Sequence, residues 1–141
     1  KNLDNYKTMA EGKNIRLIGE VPDDMKIFGD RLMISTILRN LIHNAIKYTD
    51  SGGTVTVTAY RENDRTYVAV IDTGVGIPEE YLHTIFDEKA ESKPGTSGEK
   101  GTAVGLKVCK NYVEKHHGSI YVKNNAGGGA RFEFYIPEQA D

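Results

Sequence analysis

The longest amphipathic run opens at Asp30. From there Leu32, Met33, Ile34, Ile37, Leu38, Leu41, Ile42, Ala45 and Ile46 recur at three- and four-residue spacing until Thr49-Asp50-Ser51-Gly52-Gly53 breaks the pattern. The spacing predicts a helix over Asp30 to Tyr48, with Asp30 as its N-cap. Ahead of it, Asn14 to Glu20 alternates Ile15 and Leu17 with polar residues as a strand would. Val21 to Asp24 reads as a turn and Met25 to Gly29 as a short segment. After the helix the period changes to two: Thr54 to Tyr60 and Thr66 to Ile71 are β-branched and aromatic, joined by the polar stretch Arg61 to Arg65, and predict an antiparallel hairpin. Pro78, Glu79 and Glu80 favour a helix start, and Tyr81, Leu82, Ile85 and Phe86 give it an apolar side. Glu88 to Thr102 has glycines, a proline and charges but almost nothing apolar, which predicts a long, functional surface loop. Val104 to Val113 returns to helical spacing and stops at His116-His117-Gly118, where Gly118 suits the C′ position. Two last strands, Ser119 to Lys123 and Ala130 to Ile136, flank a glycine-rich connection. Helices interspersed with hairpin-joined strands indicate an α+β fold: one mostly antiparallel sheet with helices on one face.

Composition narrows the chemistry. The chain has 141 residues, 18 Lys+Arg against 20 Asp+Glu, and 38% hydrophobic residues. That length and apolar content fit one domain with its own core. No apolar run approaches the roughly 18 to 20 residues of a membrane span, and Lys1 to Glu20 lacks the apolar stretch of a signal peptide, so a soluble chain is expected. The first residue is Lys, which leads us to expect a fragment of a longer protein. Cys109 is the single cysteine, which fits a reducing compartment, and the histidines at 43, 83, 116 and 117 include no i, i+4 pair for a zinc site. Without a long Lys/Arg stripe, nucleic acid is not an expected partner.

Three segments carry candidate chemistry. Asn40, Asn44 and Lys47 fall on one stripe beside the apolar face of the first long helix. The stripe is either a solvated face or a set of amide oxygens and an ammonium facing phosphates and their metal, since Mg²⁺ takes oxygen ligands together with substrate phosphates. Asp72-Thr73-Gly74-Val75-Gly76-Ile77-Pro78 follows directly on a strand, but has neither the third glycine of a dinucleotide fingerprint nor the Gly-Lys-Ser/Thr of a P-loop. It offers a carboxylate able to accept a hydrogen bond from the amine of a base, with glycines that permit close approach. Gly95 to Leu106 is a glycine-rich loop running into a helix N-terminus, where exposed N–H groups and the helix dipole favour phosphate.

In order and spacing these pieces resemble the catalytic, ATP-binding domain of sensor histidine kinases, within the GHKL ATPase/kinase superfamily. Asn40 to Thr49 resembles its N box, Asp72 to Pro78 its G1 box and Gly101 to Leu106 its G2 box; the likeness covers about Asp30 to Pro137. It implies a two-layer α/β sandwich of the Bergerat type, with a mixed, mostly antiparallel sheet and helices packed on one face. It also implies residue roles. Asn44 would hold Mg²⁺ against the phosphates of ATP, with Asn40 and Lys47 beside them and Tyr48 packed next to the nucleotide. Asp72 would accept from the exocyclic amine of adenine; Gly74 and Gly76 would admit the base. Gly101, Thr102 and Gly105 would cradle the phosphate tail through the backbone, with Leu106 closing the same box.

In the superfamily's hydrolases the position matching Asn40 is a glutamate that activates water. An amide cannot act as that base, which favours transfer to a protein side chain over hydrolysis. The resemblance therefore implies an ATP-dependent protein-histidine kinase domain that binds ATP or ADP and Mg²⁺. Its partners would be the dimerisation and histidine phosphotransfer domain of the same parent protein and a response regulator receiver domain. No nucleic acid and no direct membrane contact are expected of this segment, and its expected location is cytoplasmic even if the parent is membrane-anchored. None of the four histidines sits in an acceptor motif, so all 141 residues read as one catalytic module without its substrate domain. Two positions depart from the family's pattern. Ala103 stands where Gly is expected, and Ile85-Phe86 lacks the usual second aromatic soon after it. They leave a degenerate nucleotide- or partner-binding module as the alternative.

Overall fold

The computed structural model describes residues 4–21, 29–77, 82, 86, 104–125 and 127–138. Along the chain these form α1 (Asp4–Gly12), β1 (Arg16–Glu20), α2 (Arg31–Lys47), β2 (Thr54–Glu62), β3 (Arg65–Asp72), α3 (Val104–Lys115), β4 (Ser119–Asn124) and β5 (Ala130–Pro137). The five strands make one sheet in the order β1-β2-β3-β5-β4. Only β1 and β2 run parallel; β2/β3, β3/β5 and β4/β5 are antiparallel. This is the expected α+β sandwich with a mixed, mostly antiparallel sheet. The β2–β3 hairpin closes tightly, with Asn63 and Asp64 both left-handed at φ 54° and 61°. Two successive positive φ values suit the twist of flanking strands, and Asn and Asp tolerate them better than most residues.

Alternation decides which face is buried. Val55, Val57, Val68, Val70, Phe132, Phe134 and Ile136 point from the strands into one core with Ile37, Leu41 and Ile42 of α2 and Leu106, Cys109 and Val113 of α3. Each such aliphatic or aromatic side chain contributes roughly 1.5–3 kcal/mol by leaving water. The opposite face carries Tyr60, Tyr67 and Tyr135 side by side across β2, β3 and β5. The first two rings are parallel with centroids 4.9 Å apart. Tyr60 donates to Glu133 Oε2 at 2.7 Å, and that bond, ahead of burial, pushes the phenol up to about 12.

Both ends of α2 are tied down. Asp30 caps the start by accepting from the Met33 N–H at 3.0 Å. At the other end Lys13 Nζ donates to the carbonyls of Ile46 and Lys47 at 3.0 and 2.9 Å, a cation where the helix dipole favours one. The same Lys13 immediately follows α1, which the hydrophobic pattern does not predict. Asp4–Gly12 is short and polar on average, and tertiary contacts hold it, with Ala10 buried and Tyr6 edge-on to His43 of α2.

The end of α3 also differs in detail from expectation. His117, not Gly118, is the left-handed C′ residue, at φ 65°; the His117 N–H bonds Glu114 O and the Gly118 N–H bonds Val113 O. This is a Schellman closure one residue earlier than the glycine suggests. Glycine is needed at 118 because a Cβ there would strike the Tyr135 carbonyl of β5. The expected helix from Pro78 to Phe86, the loop Glu88 to Thr102 and the segment Met25 to Gly29 lie outside the described residues except at Gly29, Leu82 and Phe86. Phe86 packs edge-on to Phe132 of the core at 6.1 Å.

Candidate functional site

β3 ends on Asp72, and the chain then crosses the turn between β4 and β5. Asp72 is 3% exposed. Its Oδ1 accepts two backbone hydrogen bonds, from Gly74 N at 2.9 Å and from Ala130 N at 3.1 Å. Oδ2 takes none from the described residues. Burial raises the carboxyl above the ordinary aspartate range, while the two N–H donors act the other way. The result is a fixed, nearly buried carboxyl group with one oxygen left for an outside donor.

Backbone proximity explains the glycines that follow. A Cβ on Gly74 would strike the carbonyl of Tyr48, whose oxygen also accepts from Val75 N at 3.2 Å. The loop therefore lies on the C-terminal end of α2, and Tyr48 and Gly74 become neighbours although 26 positions separate them. Gly76 has φ +76°, a conformation glycine adopts without strain. Ile77 then pairs with Asn124, donating from N to Oδ1 at 2.8 Å and accepting from Nδ2 at 2.7 Å.

The stripe lies on α2, the helix whose C-terminal end meets this loop at Tyr48. Asn40, Asn44, Lys47 and Tyr48 are all half-buried. Asn40 meets α3: a Cβ on Gly105 would sit 2.9 Å from Asn40 Oδ1. Its amide also hydrogen-bonds Cys109, whose thiol burial pushes up to about 12, so the sulfur stays protonated. One turn further on, the Asn44 amide has no hydrogen bond among the described residues. Lys47 Nζ stands 4.7 Å from the centroid of the Tyr48 ring, a cation–π distance.

The structure thus seats Gly74 and Val75 on Tyr48 at the C-terminal end of α2, carries Asn40, Asn44 and Lys47 on that same helix, and places Gly105 against Asn40. Leu106 belongs to the core through its side chain, at 6% exposure, leaving its backbone for any ligand contact. Gly101, Thr102 and Ala103 lie outside the described residues. Sequence reasoning missed Asn124, Asn125, Ala130 and Lys13, which hold the loop and the helix end. Only the Asn-Asn pair before a glycine run hinted at a turn there, and nothing hinted at its partner.

Residues 29–140 match the model of the histidine kinase-, DNA gyrase B- and HSP90-like ATPases. The chain belongs to this family, as a catalytic ATP-binding domain of the sensor histidine kinase type. It is 38% identical over 128 residues to the adaptive-response sensory kinase SasA of Parasynechococcus marenigrum (strain WH8102), which covers 89% of this chain and 33% of that protein. The chain therefore spans about a third of that relative. Its fold superposes on the catalytic domain of histidine kinase ThkA with a TM-score of 0.85 and 30% identity, over 96% of this chain and 87% of the other. ThkA solved in complex with the response regulator protein TrrA gives a TM-score of 0.80 at 27% identity, over 97% of this chain and 38% of that one. Family and fold make this a nucleotide-binding domain. Among the described residues no helix is long and apolar enough to cross a membrane.

Proposed function

We propose that this chain is a single catalytic domain that positions Mg–ATP for phosphoryl transfer to a histidine on a separate dimerisation domain of its parent protein. From there the phosphoryl group passes to a response regulator receiver domain. The observation that carries the reading is Asp72: a carboxyl 3% exposed, aimed by two backbone N–H groups, with Oδ2 open to a donor. The exocyclic amine of adenine is such a donor. Guanine presents a carbonyl oxygen at that position and would oppose the acceptor.

The other residues divide the remaining tasks. Gly74 and Gly76 keep side chains out of the path of the base, and Tyr48 packs beside the nucleotide. Asn40 and Lys47 face the phosphates, and Gly101, Thr102, Gly105 and the backbone at Leu106 receive the tail at the start of α3. Among the described residues no group of three or more His, Cys, Asp or Glu side chains could hold a metal. The uncommitted Asn44 amide suits Mg²⁺, which needs few protein oxygens when phosphates supply the rest. When bound, Mg²⁺ neutralises phosphate charge. Asn40 carries an amide where a water-activating carboxylate would serve hydrolysis, so the domain delivers its phosphoryl group to a protein acceptor.

The reading rests on family membership, on the similarity to ThkA and SasA, and on the buried, backbone-aimed Asp72 carboxyl. It is tested by supplying a histidine-bearing dimerisation domain with Mg–ATP and this chain. Phosphohistidine that appears with the chain and disappears with Asp72→Asn is the expected result. ATP hydrolysis without transfer would overturn it.

A further inference from the structure

We propose that Asn124 is a positioning residue for adenine recognition, pinning the far end of the Asp72–Ile77 loop through a side-chain imitation of strand pairing. The proposal rests on the nucleotide reading above and goes beyond the residues that touch the ligand. The backbone of Ile77 lies past the end of β3, where the strand ladder has finished. Its N–H and C=O are nevertheless both paired, at 2.8 and 2.7 Å, by the two halves of one primary amide. Only a side chain carrying both a donor and an acceptor in that fork can do this, which fixes the amide as Oδ1 toward N and Nδ2 toward O.

The β4–β5 connection holds the loop at its start as well. Ala130 N donates to Asp72 Oδ1 at 3.1 Å and Asn125 Nδ2 to Asp72 O at 3.4 Å. Gly129, at φ +88°, lets the strand pass close beneath, since a Cβ there would strike the Asp72 carbonyl. Between these anchors run Gly74, Val75 and Gly76, with Val75 63% exposed. Without Asn124, the loop is fixed at Asp72 and at the Tyr48 carbonyl, while its Gly76–Ile77 end keeps only the packing of the half-buried Ile77 side chain on the core and loses both backbone hydrogen bonds beside a residue of positive φ. The surface that admits the base is then no longer held flat. Asn124 itself is exposed at the end of an edge strand, so its loss should leave the core intact.

The test uses the full chain and three variants, Asn124→Ala, Asn124→Ser and Asn124→Asp. Amide exchange at Ile77 is read without nucleotide, and binding of ADP and of adenosine is read by calorimetry. Asn124→Ala should speed exchange at Ile77 at least about tenfold while β2, β3 and β5 keep their protection, and should weaken ADP and adenosine by the same factor, about tenfold. Asn124→Asp retains the acceptor for Ile77 N but loses the donor to Ile77 O, and should fall between. Asn124→Ser is too short to bridge both groups and should behave as Ala. Unchanged Ile77 exchange, unchanged affinity with Ile77 released, or a loss confined to ADP would each overturn the proposal. If the unsubstituted chain binds neither ligand, the nucleotide reading fails and this proposal with it. Normal binding by an indifferent Asn124→Ala overturns this proposal alone. Should Asn124→Ala lose sheet protection, Asn124→Asp carries the test.

Discussion

The Asp72–Ile77 loop and the Asn40–Lys47 stripe, both assigned to the proposed nucleotide site, are prepared in opposite ways. The loop is almost fully committed: backbone donors fix Asp72 Oδ1, the Tyr48 carbonyl fixes Val75, and Asn124 fixes Ile77. On the stripe, the Asn44 amide has no hydrogen bond among the described residues, and Asn40 is held by a weak bond to a thiol and by contact with Gly105. A rigid planar base rewards a prebuilt acceptor, because ordering costs are met during folding rather than at binding. A charged, flexible phosphate tail with its metal rewards side chains free to adjust. The difference teaches where to expect specificity, at the loop, and where to expect adaptation, along the helix.

The largest expected effect breaks the loop. Asp72→Ala should weaken ATP about 100-fold, the scale of a lost charge-assisted hydrogen bond near 3 kcal/mol. It should also destabilise the empty domain by about 1–3 kcal/mol, because the Gly74 and Ala130 N–H groups lose their acceptor. Calorimetric titration and thermal melting read the two losses separately. Next comes the stripe: Asn44→Ala should cost about tenfold for Mg–ATP and little for adenosine. Equal losses with and without Mg²⁺ would show that Asn44 belongs to the rigid region after all.

A pH series sharpens the same contrast. Burial favours the neutral Asp72 carboxyl, so its contribution to stability is present below the unfolded pKa and lost as pH rises through the raised native one. Melting of the empty wild type should therefore fall behind that of Asp72→Asn as pH increases across this interval. Adenine binding has the opposite sign, since the amine needs the ionised acceptor. ATP affinity should drop severalfold as pH falls from neutrality toward the ordinary aspartate range near about 4. The Asp72→Asn variant should show neither trend.

The smallest expected effect concerns Gly105→Ala. The new Cβ would stand 2.9 Å from Asn40 Oδ1, the end of a side chain that can shift. Affinity for Mg–ATP should fall about threefold, by under 1 kcal/mol, and adenosine should be unaffected. The melting temperature should hold or rise, because alanine replaces glycine within a helix at a gain of roughly 0.5–1 kcal/mol. A strong loss of stability would mean that Asn40 cannot move and that the stripe is as rigid as the loop.

Much of this architecture was legible in the sequence, for a physical reason that also explains the gaps. α2 and the hairpin of β2 and β3 bury long periodic rows, and periodicity is a property of the chain alone. The N-cap Asp30 acts over three residues and was equally readable. α1 was not, because nine residues that are polar on average give too short a row to stand out, and Tyr6 on His43 and the burial of Ala10 hold them. Within the site, Asp72, Gly74 and Asn44 stand out by residue type, yet the partners that aim them lie far away in sequence. Ala130 is 58 positions from Asp72, and Asn124 is 47 from Ile77. An alanine N–H and a surface asparagine leave no local signal. His117 is a smaller instance, since the neighbouring glycine offers the more obvious left-handed residue and the Tyr135 carbonyl claims it.

In the proposed function, a buried, backbone-aimed carboxyl at Asp72 selects adenine. The most direct measurement is a paired titration of the isotopically labelled chain with Mg–ATP and Mg–GTP, following backbone amide signals and affinity together. ATP should bind at least about tenfold tighter, a difference near 1.4 kcal/mol, and should perturb the amides of Gly74, Ile77 and Ala130. Comparable affinities for the two nucleotides, or ATP-induced changes that leave those three amides untouched, would contradict it.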